Sequence, residues 1–297
     1  MRKQRKTAGV VCTAMLAAAL ATLALAGSAS AKLVGEFTKF QFCPFTNAEV
    51  NRCVHSVNSG GTVVLGSKTV TIEKSVTLQG GYSKPVEEFS KFFAATNGET
   101  LTKAKQNVPG GLLGIVPPES SPPLVKALTK FFFENSITGV TSTLELAKPA
   151  SEIKLSENHL AEGEGVALKL PVKVHLENPF LGKNCYVGSS SSPIWWELTS
   201  GTTAPPKPNS PISGKPGEVS FLEGGRILVL SNSEIVDNAW SAPSASGCGG
   251  ILSFLVNPII NSQIGLPSAA GKNTAILKNT VSIATAVALK KVDSENP

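Results

Sequence analysis

The hydrophobic pattern is strongest over residues 165–180, GVALKLPVKVHLENPF. Val166, Leu168, Leu170, Val172, Val174 and Leu176 take every second position, with Lys169, Pro171, Lys173 and His175 between them. Alternation of period two over this length predicts a strand with one buried and one wet face. Pro171 lacks a backbone donor, so the strand is expected to lie at a sheet edge or to carry a bulge there. Its wet face carries a basic stripe of Lys169, Lys173 and His175. The same period recurs at Val140, Ser142, Leu144 and Leu146, at Ile153 and Leu155, and over residues 275–289. The last of these reads as one long strand, or a hairpin bent near Asn279, that closes the fold against an early strand. Residues 227–230 are continuously apolar, as expected of a strand covered on both faces. Three short runs, 62–65, 69–72 and 75–78, predict close-set strands. They also fit one coil of a parallel β-helix, but no second copy follows at a solenoid period.

Helical periodicity is scarce. Residues 47–57 read as a short helix capped by Thr46, with Glu49 three positions on. Residues 124–133 read as a helix started by Pro122-Pro123, with Leu124, Leu128, Phe131 and Phe132 on an apolar side that covers an open end of the sheet. Residues 251–266 are helical in pattern, broken or started by Pro258. The stretch 106–123, QNVPGGLLGIVPPESSPP, predicts a turn-rich connection with room for a subdomain boundary. Glycine pairs such as Gly60-Gly61 and Gly80-Gly81 read as turn punctuation. With 27 glycines and 20 prolines, the chain suits many short strands. The expected fold is a mainly β, antiparallel β-sandwich with a few short peripheral helices, a single domain over residues 32–297.

The first 31 residues read as a signal peptide. Arg2, Lys3, Arg5 and Lys6 precede an apolar stretch over 10–25, and Ala29-Ser30-Ala31 supplies a small-residue cleavage site. No later run reaches the roughly 18 apolar residues of a membrane span, so no transmembrane anchor is expected after cleavage. Of 27 basic and 21 acidic side chains, four basic ones belong to the leader, which leaves the remainder close to neutral. Such a scattered, near-neutral balance gives no support to nucleic-acid binding. Once Cys12 leaves with the leader, Cys43, Cys53, Cys185 and Cys248 remain. An even count in an exported chain predicts two disulfides. Cys43–Cys53 and Cys185–Cys248 are the expected pairs, because local pairs close first. In the chain-entropy picture they are worth about 3 and about 4 kcal/mol.

Candidate chemistry is sparse. The only aspartates are Asp237 and Asp293, too few for a calcium loop or an aspartate dyad. The densest polar group is Glu157, His159, Glu162 and Glu164. It reads as a solvated turn before the long strand rather than a metal or acid–base site. No G-x-S-x-G elbow or phosphate-binding glycine loop is present, so no catalytic residue, metal or cofactor is assigned. The better candidates are aromatic. Trp195 and Trp196 are adjacent on a predicted strand and must point to opposite faces. With Tyr186 and Trp240 they are candidates to stack on a sugar or to anchor a partner, core packing being the competing role.

Three stretches resemble a group of uncharacterised secreted proteins of high-GC Gram-positive bacteria. They are FCPFTNAEVNRC with TLQGGY, LENPFLGKNCYVGSSSSPI, and ASGCGG with IGLPSAAGKNTAIL. The resemblance implies export and attaches no activity. The resulting expectation is a secreted or cell-envelope protein with a non-catalytic binding or structural role, its partner an envelope glycan or a surface protein. A secreted carbohydrate-active hydrolase using a glutamate pair is the alternative, and an oligomeric envelope channel the third reading.

Overall fold

The alternating segments pair into one hydrogen-bonded sheet in a computed structural model of the chain, which describes residues 33–134 and 137–296. The expected signal peptide lies outside the described residues. In chain order the first strands are β1 (Arg52–Leu65), β2 (Lys68–Thr71), β3 (Val76–Val86), β4 (Phe89–Ala94) and β5 (Lys105–Val108). Helix α1 (Pro123–Phe133) separates them from β6 (Val140–Leu146) and β7 (Lys154–Leu155). After the short helix α2 (Glu157–Glu162) come β8 (Leu168–Glu177), β9 (Tyr186–Val187), β10 (Ile194–Leu198), β11 (Glu218–Leu222), β12 (Ile227–Asp237) and β13 (Ala245–Ser246). Helix α3 (Ser253–Ile264), β14 (Thr274–Thr285) and α4 (Ala286–Glu295) complete the chain. The mainly β, antiparallel architecture with short peripheral helices is as expected. The two faces expected of a sandwich belong to a single continuous sheet.

That sheet closes on itself. Its path runs β12–β14–β1–β3–β4–β7–β8, and β10 pairs with the other flank of β8. Thr199, next after β10, exchanges both backbone hydrogen bonds with Val236 of β12, at 3.0 and 2.8 Å. The path therefore returns to its start and encloses one interior, which removes most of the exposed edge. Curvature comes from two bulges facing the same level of β14, between Asn58 and Gly60 in β1 and between Leu230 and Ser233 in β12. Gly61 has φ +118°, and a Cβ there would collide with the Ile276 carbonyl. The Gly60-Gly61 pair is thus a mid-strand bulge rather than a turn. Gly80 is likewise inside β3, where a Cβ would meet the Phe92 ring at 2.7 Å.

Successive residues on the central strands feed two different cores. Val54, Leu230 and Ile283 join the interior cluster, while their neighbours Cys53, Val229 and Ala284 join a second cluster on the outer face. Phe37, Phe40 and α4 cover that outer face. The continuously apolar run of β12 is covered on both sides for this reason.

Several local expectations need correction. Residues 47–57 do not form a helix; residues 46–51 turn and Arg52 opens β1, because Cys53 and Val54 are claimed by pairing with β3 and β14. β1, β2 and β3 pair antiparallel, which is not the coil of a parallel β-helix. β14 pairs with β1 as expected, but it ends at Thr285, whose Oγ1 accepts the Ala288 N–H (3.1 Å) and starts α4. Pro171 is not at an edge. It faces Trp195 of β10 on one flank, and on the other its carbonyl accepts the Ala147 N–H (2.9 Å). The donor that proline lacks would point back toward Ala147, so the β6 ladder stops there and β7 takes over that flank of β8.

Candidate functional site

The buried parity of β8 forms one wall of an internal cavity of about 130 Å³. Leu168, Leu170, Val174 and Leu176 line it, opposite Val63 and Leu65 of β1 and Leu277 of β14. Trp196 and Leu198 of β10 and Ile264 at the end of α3 close its sides. The lining is mostly aliphatic, with Ser56, Asn58, Gln106, Ser142 and Asn279 as uncharged polar members and Lys68 as its only charged residue. A largely apolar space of this size admits a benzene-sized group or the end of an alkyl chain. Lys68 is half-buried beside the β1–β2 turn, and its Nζ donates to the Gly114 carbonyl (3.3 Å). Burial lowers its pKa from the usual lysine value. Asn58 and Trp196, which also line the cavity, each keep a buried atom without a protein hydrogen-bond partner, Oδ1 and Nε1 respectively.

A second groove of about 890 Å³, of mixed polar and apolar lining, lies on the surface between β5, β6 and residues 175–183. It gathers Glu134, His175, Glu177, Asn178 and Lys183, but the side chains of the first four are already committed. Asn178 Nδ2 donates to the Ile137 and Gly139 carbonyls (2.9 and 2.7 Å), and its Oδ1 accepts the Phe180 N–H (2.8 Å). Glu134 accepts the Gly110 N–H (3.2 Å). Burial raises the Glu177 carboxyl, but a hydrogen bond and charge from Lys105, with help from Thr143 and His175, win and hold it below its ordinary value. Glu177 is therefore held ionised, unlike a general acid.

The aromatic candidates separate. Trp196 and Trp240 are interior, 2% and 5% exposed, and pack edge to face at 5.9 Å. Trp195 is 40% exposed, so of the adjacent pair it is the one that meets solvent. Tyr186 is partly covered: it stacks on His175 at 4.3 Å, with Lys173 Nζ 4.2 Å above its ring. The basic stripe of β8 is paired, not free. Lys169 meets Glu197 (3.0 Å), and Lys173 and His175 share Glu145 (3.4 and 3.8 Å).

The Glu/His turn is structural. Glu157 opens α2 and pairs with Arg52, and the buried Tyr82 hydroxyl donates to it (2.8 Å). His159 Nδ1 lies 3.0 Å from the Val166 carbonyl. Among the described residues no three His, Cys, Asp or Glu side chains gather where they would hold a metal. Both disulfides form as expected, Cys43–Cys53 and Cys185–Cys248, with Cα separations of 5.8 and 4.1 Å. No helix among the described residues is long and apolar enough to cross a membrane.

No protein family, no curated protein and no solved structure matches the chain. Its function rests on its own geometry.

Sequence reading missed the cavity. The four β8 leucine and valine positions were legible as buried, but packed and hollow interiors share that pattern. Lys68 gave no signal at all, because only folding brings the β1–β2 turn against the end of α3.

Proposed function

We propose that the protein is an exported, non-catalytic binding protein for an anionic amphiphile. The end of its alkyl chain occupies the cavity and its head group pairs with Lys68. The observation that carries this reading is an interior lined mostly by aliphatic side chains and holding a single charged one. An apolar chain end gains from leaving water, and a half-buried ammonium gains from an anionic partner. The disulfides support an extracytoplasmic setting.

Calorimetric titration with decanoate and decanol tests the reading. Decanoate binds, and decanol binds roughly tenfold or more weakly for want of the charge-assisted contact. Lys68→Met brings decanoate down to the decanol level. Leu170→Trp takes up much of the space and abolishes binding of both while the protein stays folded. Decanoate binding that survives in Leu170→Trp, or is absent from the wild type, defeats the proposal.

A further inference from the structure

The cavity lies behind an unusual rim. From the β1–β2 turn, Lys68 reaches the Gly114 carbonyl (3.3 Å) and Ser67 Oγ donates to the Gln263 carbonyl of α3 (2.8 Å). The Leu112 N–H donates to the Thr138 carbonyl (2.6 Å), and Asn178 ties residues 137–139 to residues 178–182. The Gly249 N–H donates to the Leu181 carbonyl (2.7 Å), which leads back to α3. These contacts join five chain segments into a collar at the end of the closed sheet where Lys68 and Ile264 border the cavity.

The collar exposes large apolar side chains. Ile251 is 95% exposed, and Phe254 and Leu124 are each 70% exposed. Helix α3 turns Ile260 and Ile264 inward, yet Phe254, Leu255 and Ile259 on its other side are more than half exposed. A helix apolar on both sides belongs in a core or in lipid, not in water. The whole stretch 238–271 contains no Asp, Glu, Lys, Arg or His. Helix α1 packs on residues 111–113 of the collar, where Lys126 Nζ meets the Glu119 carbonyl, and the charges of this end are Lys68, Lys126, Lys130 and Lys183 against Glu119 and Glu134.

We propose that this collar docks on a lipid bilayer containing anionic headgroups, with the exposed side of α3 and Leu124 of α1 among the acyl chains and the four lysines at the headgroups. Exposed apolar side chains framed by lysines match an interfacial membrane site. A second copy of the chain fits less well, because a two-fold contact would set the same lysines against each other. The proposal rests on the cavity reading only for what is taken up from the bilayer; docking itself does not require a ligand.

Flotation of the protein, freed of its leader, with vesicles of phosphatidylcholine alone or mixed equally with phosphatidylglycerol tests it. Wild type floats with the mixed vesicles, less with the neutral ones, and loses binding as salt rises. The double variant Phe254→Asp/Leu255→Asp keeps its circular dichroism spectrum and melting temperature and loses tenfold or more in vesicle affinity. Lys126→Glu/Lys130→Glu removes the preference for the anionic vesicles. Val219→Asp/Phe221→Asp alters exposed apolar residues of β11, away from the collar, and leaves flotation unchanged. Leu170→Trp still floats although it no longer binds decanoate, so docking and cavity filling fail separately. No flotation of the wild type, equal loss in the β11 variant, or a dimer that Phe254→Asp/Leu255→Asp dissociates overturns the proposal.

Discussion

Asp237 ends β12 with a buried carboxylate whose Oδ2 accepts the Glu197 N–H (2.7 Å) and whose Oδ1 accepts the Ala239 N–H (2.9 Å). Burial raises its pKa above 3.8, and the two backbone donors offset only part of that shift. The folded chain therefore keeps this proton to higher pH than the unfolded chain. Stability from this group is greatest below the unfolded pKa, falls as pH rises from there through the raised folded value, and is level above it. Urea midpoints between pH 3 and 7 measure it. The gap between wild type and Asp237→Asn widens against the wild type as pH rises through that window. Parallel curves would show that the two backbone donors cancel the burial.

Helix α3 shows how polar atoms fix an element whose apolar residues give it no single direction. Asn261 Oδ1 accepts the Ala245 N–H (2.6 Å), and its Nδ2 donates to the Ala245 carbonyl (3.1 Å). One turn earlier, Asn257 Oδ1 accepts the Cys248 N–H (2.9 Å). The two side chains hold the inward face beside β13, and Gly265 in the left-handed region ends the helix. Asn261→Ala strands a backbone donor and acceptor in a partly buried setting. It should cost about 1–3 kcal/mol in denaturant unfolding; a loss below half a unit would mean that water replaces the asparagine. The helix itself was legible in sequence, Pro258 notwithstanding, but its orientation was not, since apolar residues lie on both sides of the Ser253, Asn257 and Asn261 stripe that turns inward. The same limit explains α1. Its span was readable from Pro122-Pro123 and its spacing, yet Leu124 and Leu128 face outward instead of covering the sheet. Strands with strict alternation, such as β6, β8 and β14, were read well because their pattern names the buried face. β1 was misread at its start, where a capping pattern lost to long-range pairing, and at Gly60-Gly61, where a bulge resembles a turn.

The closed sheet has two differently built ends, and each disulfide serves one of them. Cys43–Cys53 pins the N-terminal segment to the outer-face cluster under Phe37, Phe40 and α4. Cys185–Cys248 joins the segment after β8 to the turn that Asn257 binds, and so braces the collar. Removing either bridge releases chain entropy in the unfolded state, at a cost of about 2–5 kcal/mol. Where the native state loosens should differ. Hydrogen exchange in Cys185→Ser/Cys248→Ser accelerates over residues 178–187 and 245–264, and decanoate affinity falls because Ile264 no longer bounds the cavity firmly. In Cys43→Ser/Cys53→Ser exchange accelerates over residues 33–50 and in α4, the melting temperature drops, and decanoate affinity holds. A molecule that opened uniformly in both variants would have one cooperative core. The sequence argues for two, because neighbouring residues of β1, β12 and β14 are committed to opposite faces of the same strands.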